Sequence, residues 1–284
     1  MSSDQGSRAS TEWMHPGARK DRPVPPTVDT SKPSIARAYD YVLGGKDNFA
    51  VDRIVGDKLL AMVPESMAIA QENRAVLRRA VRYLVHDAKI RQIVDIGSGL
   101  PTAGNVHEVA HEEDPSVRVV YVDKDPIVLA HGRALLADND TTTVITADLL
   151  DTDSIFNDPA TKRYINEDEP FAIIASAILH HLSDEQDPVG VAARLRDRLP
   201  SGGYLFVSNF LNNGDPRAVT IESIMLDKLG AGRFRTREEQ LPYFEGLEMV
   251  EPGFVIANEW HPDQHTPVDS VTRNLYGAGL GRKP

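Results

Sequence analysis

The stretch VDIGSGLPTAGN (Val94–Asn105) sets a carboxylate, Asp95, two residues ahead of a turn made of Gly97, Ser98 and Gly99. Apolar residues before the turn read as a strand and the residues after it as a helix, so the turn is placed to hold a ligand. A phosphate loop needs Gly-Lys-Ser/Thr at fixed spacing, and none follows. A dinucleotide loop needs G-x-G-x-x-G, but Thr102 stands at the third glycine position, where helix and strand must pack closely at a pyrophosphate. Asp95 adds a charge argument. Beside a pyrophosphate it would repel in a poorly screened cleft, whereas beside an ammonium or sulfonium it attracts. D-x-G-x-G therefore favours a cationic amino-acid ligand, although a bare Gly-x-Gly also serves as a plain strand-to-helix turn.

The next two strand ends carry acids too. VVYVDKD ends in Asp123, followed by Lys124, and the Asp123 carboxylate suits a bidentate grip on ribose hydroxyls, a role shared with dinucleotide sites. TADLLD offers Asp148 to an adenine amino group, with the Leu149 amide near the ring; the alternative for Asp148 is a helix N-cap. Three strand-end acids in successive βα units point together to an adenosyl ligand.

Other side chains could take part. His180 and His181 are neighbours, and on a helix they diverge by about 100°, which disfavours chelation of one ion. No His-x-x-x-His or carboxylate partner accompanies them, so no metal site is expected. One of the pair is a candidate base for an acceptor hydroxyl. Asp184 and Glu185 are expected to start the following helix, favoured there by its dipole. Upstream, YDYVLGGKDNF joins aromatics, a glycine pair, a cation and an amide. Tyr39 and Tyr41 diverge on a helix, and the glycines permit close backbone approach. The expectation is a lid over the strand ends, with Tyr39, Lys46 and Asn48 reaching cofactor or substrate; a helix C-cap followed by a surface loop is the alternative. Lys46, or Arg74 on the next long helix, would pair with a ligand carboxylate. Trp260, His261 and His265 lie in a Pro-rich loop that either lines an acceptor pocket or connects the last strands.

The elements that must position these groups are legible as well. Ser34 is a plausible N-cap for a short helix through IARAYDYVL, stopped by Gly44-Gly45. A second helix is predicted from Asp52 to Val63, ended by Pro64, and a longer one from about Met67 to His86, where Ile69, Val76, Leu77, Ala80, Val81 and Leu84 recur at helical spacing. From Gln92 on, short apolar runs alternate with helical stretches: QIVDIG, VRVVYVD, TTVITAD, FAIIASA and GYLFVSN. Their nearly continuous apolar character fits strands buried on both faces of a parallel sheet with right-handed crossovers. FVIANEW (Phe254–Trp260) and a segment near Tyr276–Arg282 are predicted as an antiparallel pair closing one edge. The expected fold is thus α/β: a Rossmann-like, doubly wound, mostly parallel seven-stranded sheet with N-terminal helices. Residues 1–32, rich in Ser, Pro, Gly and charge, read as a disordered tail, 33–66 as a helical lid and 67–284 as the catalytic domain.

Composition narrows the partners. Across 284 residues, Lys+Arg 31 against Asp+Glu 42 leaves a net charge of −11, which disfavours a nucleic acid as partner. With no cysteine there is no disulfide, thiolate metal site or Cys nucleophile. No apolar run approaches the roughly 18 residues of a membrane span, and no leader opens the chain, so a cytoplasmic protein without membrane contact is expected. The oligomeric state is not legible.

These residues resemble the class I S-adenosylmethionine-dependent methyltransferases across about residues 67–284. VDIGSG is similar to their first motif, VDKD to their ribose acid, TADLLD to their adenine motif. FAIIASAILHHLSD, including Ser176, is similar to their fourth-strand motif, and RLPSGGYLFVSN to the loop and strand that follow. A narrower resemblance lies in SIARAYDYVLGGKDNFAVDR (Ser34–Arg53), ENRAVLRRAVRYL and the GLEMVEPGFV to GRKP ending. They are similar to an actinobacterial-type methyltransferase family, with an AR-x-YDY-x-LGGKDNF opening, long described as a domain of unknown function. One departure is Pro101, which stands where many methyltransferases carry a third motif glycine and stiffens the turn. The resemblance implies S-adenosylmethionine as cofactor, contacts through Asp95, Gly97, Ser98, Gly99, Asp123, Lys124, Asp148, Leu149 and Ser176, and in-line transfer to a small-molecule acceptor. Two other readings share these features: an NAD-dependent oxidoreductase and a non-catalytic adenosyl-binding regulator.

Overall fold

A computed structural model describes residues 28–101, 104–135 and 140–284. Most of the expected tail, 1–27, and Thr102 lie outside the described residues. Val28, at the end of that tail, is 9% exposed and packs with Leu100, Ile127, Val128 and Val144.

Three helices precede the sheet: α1 (Ile35–Val42), α2 (Ala50–Met62) and α3 (Ser66–Arg82), which runs on into a π-helical turn at Tyr83–Asp87. The series continues with β1 (Gln92–Ile96), α4 (Val106–Glu113), β2 (Arg118–Asp123), α5 (Pro126–Leu135), β3 (Thr142–Thr146), α6 (Thr152–Asn157), α7 (Pro159–Tyr164) and β4 (Ala172–Ser176). Then come α8 (Pro188–Arg198), β5 (Tyr204–Phe210), α9 (Pro216–Leu229), α10 (Arg237–Gln240), β6 (Glu248–Met249), β7 (Val255–Ile256) and β8 (Tyr276–Arg282). The order across the sheet is β3-β2-β1-β4-β5-β8-β6, with β7 also paired to β8. The first five strands are parallel, as their apolar runs predict.

Both faces of the sheet are buried, and successive side chains alternate between two cores. Ile93, Ile174 and Phe206 face α3 and α4, where Val76, Ala80 and Val109 meet them. Val94, Ile173 and Val207 face the opposite layer, with Phe156, Val191 and Leu195. Strand order reverses between β1 and β4, which opens a crevice at their carboxyl ends.

The predicted antiparallel edge pair is present as β7 and β8, and the edge holds more strands than that pair. β8 runs antiparallel to β5 on one side and to β6 and β7 on the other, so the sheet has eight strands. Of FVIANEW, only Val255–Ile256 is strand; Ala257–Glu259 form a 3-10 turn. Tertiary contacts override β-propensity here. Trp260 is fully buried against Tyr83 and Phe206, and Arg79 donates to the carbonyls of Ala257 (2.6 Å) and Trp260 (2.9 Å). Likewise Asp184 and Glu185 do not begin α8. They lie in a separate 3-10 turn, where Asp184 pairs with Arg235 at 2.7 Å; Asp187 caps α8 by accepting from the Gly190 amide.

The N-terminal helices are clasped by a buried ion pair. Ser34 caps α1 as predicted, accepting from the Arg37 amide. Arg37 Nε donates to Asp52 Oδ2 at 2.9 Å, with side chains 3% and 0% exposed, and Asp52 also accepts from the Ser34 and Phe49 amides. A guanidinium Nη of Arg37 lies 3.8 Å from Asp125, in the loop just past β2. The clasp therefore ties α1 and α2 to each other and to the sheet. No helix among the described residues is long and apolar enough to cross a membrane.

Removing one partner of a buried pair strands the other charge away from water. Asp52→Ala is accordingly expected to lower stability by about 3–5 kcal/mol in urea unfolding. A loss below about 1 kcal/mol, the range of surface pairs, would contradict the buried clasp.

Candidate functional site

A cavity of about 490 Å³ occupies the crevice between β1 and β4, within the range usual for small-ligand sites. Its wall at the strand ends includes Asp95, Gly97, Ser98, Gly99, Asp123, Lys124, Asp148, Leu149 and Ser176, so the predicted turn and the three strand-end acids are brought together. Tyr39 and Arg74 join them from α1 and α3.

The turn owes its shape to Gly97, which has φ +70° and whose missing Cβ would lie 2.6 Å from Ile178. The amides of Gly97 and Ser98 donate to the Val122 carbonyl at 2.8 and 3.2 Å. That of Gly99 donates to Asp123 Oδ2 at 2.9 Å. The donors that would cradle a pyrophosphate are thus spent on β2. Asp123 Oδ1 accepts from the Asp125 amide, which leaves each carboxylate oxygen a further lone pair for a ligand. Burial first, then the Asp125 charge, pushes the Asp123 carboxyl above its usual range, and the two amide bonds oppose this.

Asp95 is 5% exposed, and its side chain has no hydrogen-bond partner among the described residues. Burial drives its pKa up to about 7; the Arg74 guanidinium works against the rise and Asp123 adds to it. Arg74 itself donates to the Gly104 carbonyl at 3.1 Å. Asp148 is exposed at the rim, and its Oδ1 accepts from the Leu150 amide at 2.9 Å. The helix cap read as its alternative role belongs to Asp151, which accepts from the Ser154 amide.

α1 and the residues before it cover the cavity through Pro33, Ile35, Tyr39 and Val42. Tyr39 donates to the Ala70 carbonyl at 3.1 Å and faces inward, while Tyr41 turns to α2 and donates to Asp57 at 2.6 Å. Lys46 and Asn48 are not part of this wall. Lys46 is exposed, and Asn48 donates to Asp40 Oδ2 at 2.9 Å and to the Gly45 carbonyl. The reason is Asp40, a 3%-exposed carboxylate that needs donors. The Asp47 amide and Asn48 supply them, and Gly45 sits where a Cβ would collide with that carboxylate. The glycine pair thus makes room for a side chain of its own helix. Trp260, His261 and His265 also lie away from the cavity: Trp260 is core, and His261 Nε2 donates to the Glu251 carbonyl.

His180 and His181 sit in a 3-10 turn after β4, and both border the cavity. Burial holds His180 well below its ordinary pKa, helped by His181. Burial, followed by the Lys124 charge, takes His181 down to about 3. Both rings are neutral at physiological pH.

Several lining residues carry no sequence signal of function. Asn73 comes from the apolar-patterned α3 and accepts from Ser208 Oγ (2.7 Å) and Ser176 Oγ (3.4 Å). Phe210, Ile221, Met225 and Tyr276 wall the far end. A polar residue inside a helical apolar stripe, as Asn73 is, was the one available hint.

The chain matches, over residues 21–284, the family model described as S-adenosyl methyltransferase. It is similar to the crystal structure of a methyltransferase candidate from Thermobifida fusca YX, with 46% identity, TM-score 0.87, and coverage of 91% of this chain and 98% of that one. A DUF574 family protein from Streptomyces avermitilis MA-4680 gives 39% identity and TM-score 0.86, covering 90% of this chain and 99% of that one. An O-methyltransferase family protein from Burkholderia thailandensis, at 14% identity and TM-score 0.52 over 78% of this chain and 61% of that one, shares the fold alone. No curated protein matches.

Asp95 makes stability depend on pH. Its folded pKa of about 7 lies above the unfolded value near 4, so between these values the folded protein holds a proton that the unfolded chain has released. Stability without ligand must fall as pH rises through this window, by a few kcal/mol in order of magnitude. Urea unfolding of wild type and Asp95→Asn between pH 5 and 8 checks this. The wild type should weaken relative to the variant with rising pH, and parallel curves would refute it.

Proposed function

The chain belongs to the S-adenosyl methyltransferase family, and from that premise we propose that it carries the methyl group of S-adenosylmethionine to a small, uncharged acceptor in the apolar end of the cavity. The observation that carries this reading is the buried, unpaired Asp95 at the polar end. A carboxylate in that setting calls for a cation, and the ammonium of the cofactor's amino acid is one. The rest of the wall fits the same molecule. Arg74 is placed for its carboxylate, Asp123 retains lone pairs for ribose hydroxyls, and Asp148 with the Leu149 amide borders the space for adenine. Ser98 Oγ is buried with no partner among the described residues and offers a further polar contact.

When bound, the cofactor supplies a methyl on a positively charged sulfur, which leaves as a neutral thioether. The protein's work is then to orient an acceptor lone pair in line and to exclude water, which is proximity catalysis. α1 supports both tasks. Its residues roof the cavity, and the Arg37 clasp fixes the roof to the loop beyond Asp123. Asp123 adds a second duty by accepting from Gly99, so one side chain sets both the ribose grip and the turn.

Titration calorimetry tests the reading. S-adenosylmethionine and S-adenosylhomocysteine should bind and NAD should not. Asp123→Ala, which removes about 1.5–3 kcal/mol of charge-assisted hydrogen bonding, should weaken cofactor binding about 10–100-fold. NAD binding tighter than the adenosyl ligands, or unchanged affinity in a folded Asp123→Ala, would overturn it.

A further inference from the structure

The charged residues of the cavity wall are confined to one end. Asp95, Asp123, Lys124, Asp125, Asp148 and Arg74 all cluster around the β1–β3 strand ends. Towards β5, α2 and α9 the wall is Leu59, Ile69, Phe210, Ile221, Met225 and Tyr276. A charged acceptor would enter this arm with no counter-ion.

Of the two imidazoles that border the cavity, His180 packs among the aromatic side chains of this arm, and buried amides face its ring. Gln240, 1% exposed, donates from Nε2 to the Phe210 and Arg235 carbonyls, both at 2.9 Å. Carbonyls only accept, so the Gln240 amide orientation is fixed and its Oε1 must accept. It accepts from Asn209 Nδ2 at 3.2 Å, which turns Asn209 Oδ1 towards His180. That oxygen already accepts from the His180 amide at 3.3 Å and lies 3.2 Å from His180 Nδ1. The Asn209 oxygen makes the shorter contact to Nδ1 and favours the proton there. The Phe210 amide donates to the same Nδ1 from 3.4 Å, a longer contact that favours the opposite tautomer. Phe210, Phe234 and Tyr276 surround the ring edge-on at 5.1, 5.6 and 6.1 Å and lock its orientation. Nε2 has no hydrogen bond among the described residues and is not among the buried atoms lacking partners.

We infer that the Gln240–Asn209 chain holds His180 with a bare Nε2 towards the apolar arm, where it takes the proton of a hydroxyl on an uncharged acceptor, so that the reaction is O-methylation. In that step the hydroxyl oxygen forms a bond to the methyl carbon and the carbon–sulfur electron pair stays with sulfur. The O–H bond breaks, and its proton ends on Nε2. Asn209 and Gln240 are positioning residues; His180 touches the acceptor. This inference rests on the proposed function, because only a methyl donor in the polar end gives the base a purpose.

Nitrogen-15 spectra of histidine-labelled full-length protein at neutral pH decide the tautomer directly, with His180 assigned by its loss in His180→Gln. The expected signature is a protonated Nδ1 and an unprotonated Nε2, shifting towards the Nε2-protonated form in Asn209→Leu. A wild-type His180 that carries its proton on Nε2, or is charged, overturns the inference whether or not the variant folds. Calorimetry with S-adenosylhomocysteine present then compares 2-naphthol with 2-naphthoate as probes. The neutral phenol should bind at least tenfold tighter, and equal or reversed affinity, or binding of neither, overturns the acceptor class. If S-adenosylhomocysteine itself fails to bind, the proposed function falls; if it binds and only these outcomes fail, the inference falls alone.

Discussion

A largely buried carboxyl group with no side-chain hydrogen-bond donor among the described residues is destabilised in its charged form, and Asp95, on the cavity wall, is in that position. The arrangement around it follows from that fact. The turn after β1 cannot relieve it, because the Gly97, Ser98 and Gly99 amides are bound to β2. Arg74 relieves it in part from α3. What remains is a negative site that suits a cation from outside, and under the proposed function this separates an adenosyl amino acid from a dinucleotide more sharply than the glycine spacing does. The third glycine is a matter of fit, whereas a negative charge facing a negative pyrophosphate is a matter of sign.

The cavity is therefore divided electrostatically. Its strand-end half is rich in acids and offers fixed polar contacts; its β5–α9 half is apolar, with neutral imidazole and amide groups at the boundary. Under the proposed function, such a division would keep the methyl donor's charged parts at one end and bring an acceptor to a region where water is disfavoured. α1 lines the cavity, and the buried pair Arg37–Asp52 ties that helix to α2.

The five parallel strands and their acids were legible because a strand buried on both faces must be nearly all apolar, so the first acid after the run stands out, as at Asp123 and Asp148. The closing edge was less so. FVIANEW has strand composition, but Trp260 finds Tyr83 and Phe206, and Arg79 holds the turn carbonyls; none of these partners is near it in sequence. Lys46 and Asn48 were misplaced for a related reason. A glycine pair signals close approach without saying to what, and here it is Asp40 rather than a ligand. Asn209 and Gln240 were silent, and Asn73 was marked only by its place in an apolar stripe, since a buried amide becomes meaningful only through the distant carbonyls and hydroxyls that orient it.

Tyr39 on the first helix and Tyr276 on β8 border the same cavity. The strand carrying Tyr276 is inserted between β5 and the short β6 and β7, so neither that wall nor the sheet edge exists before β8 is made. At ~5–20 residues per second, a ribosome takes on the order of ten seconds or more to travel from one tyrosine to the other. Only in the later part of that interval, once Asp148 has been added, does the nascent chain hold its glycine turn and all three strand-end acids, and even then the wall that Tyr276 completes is missing.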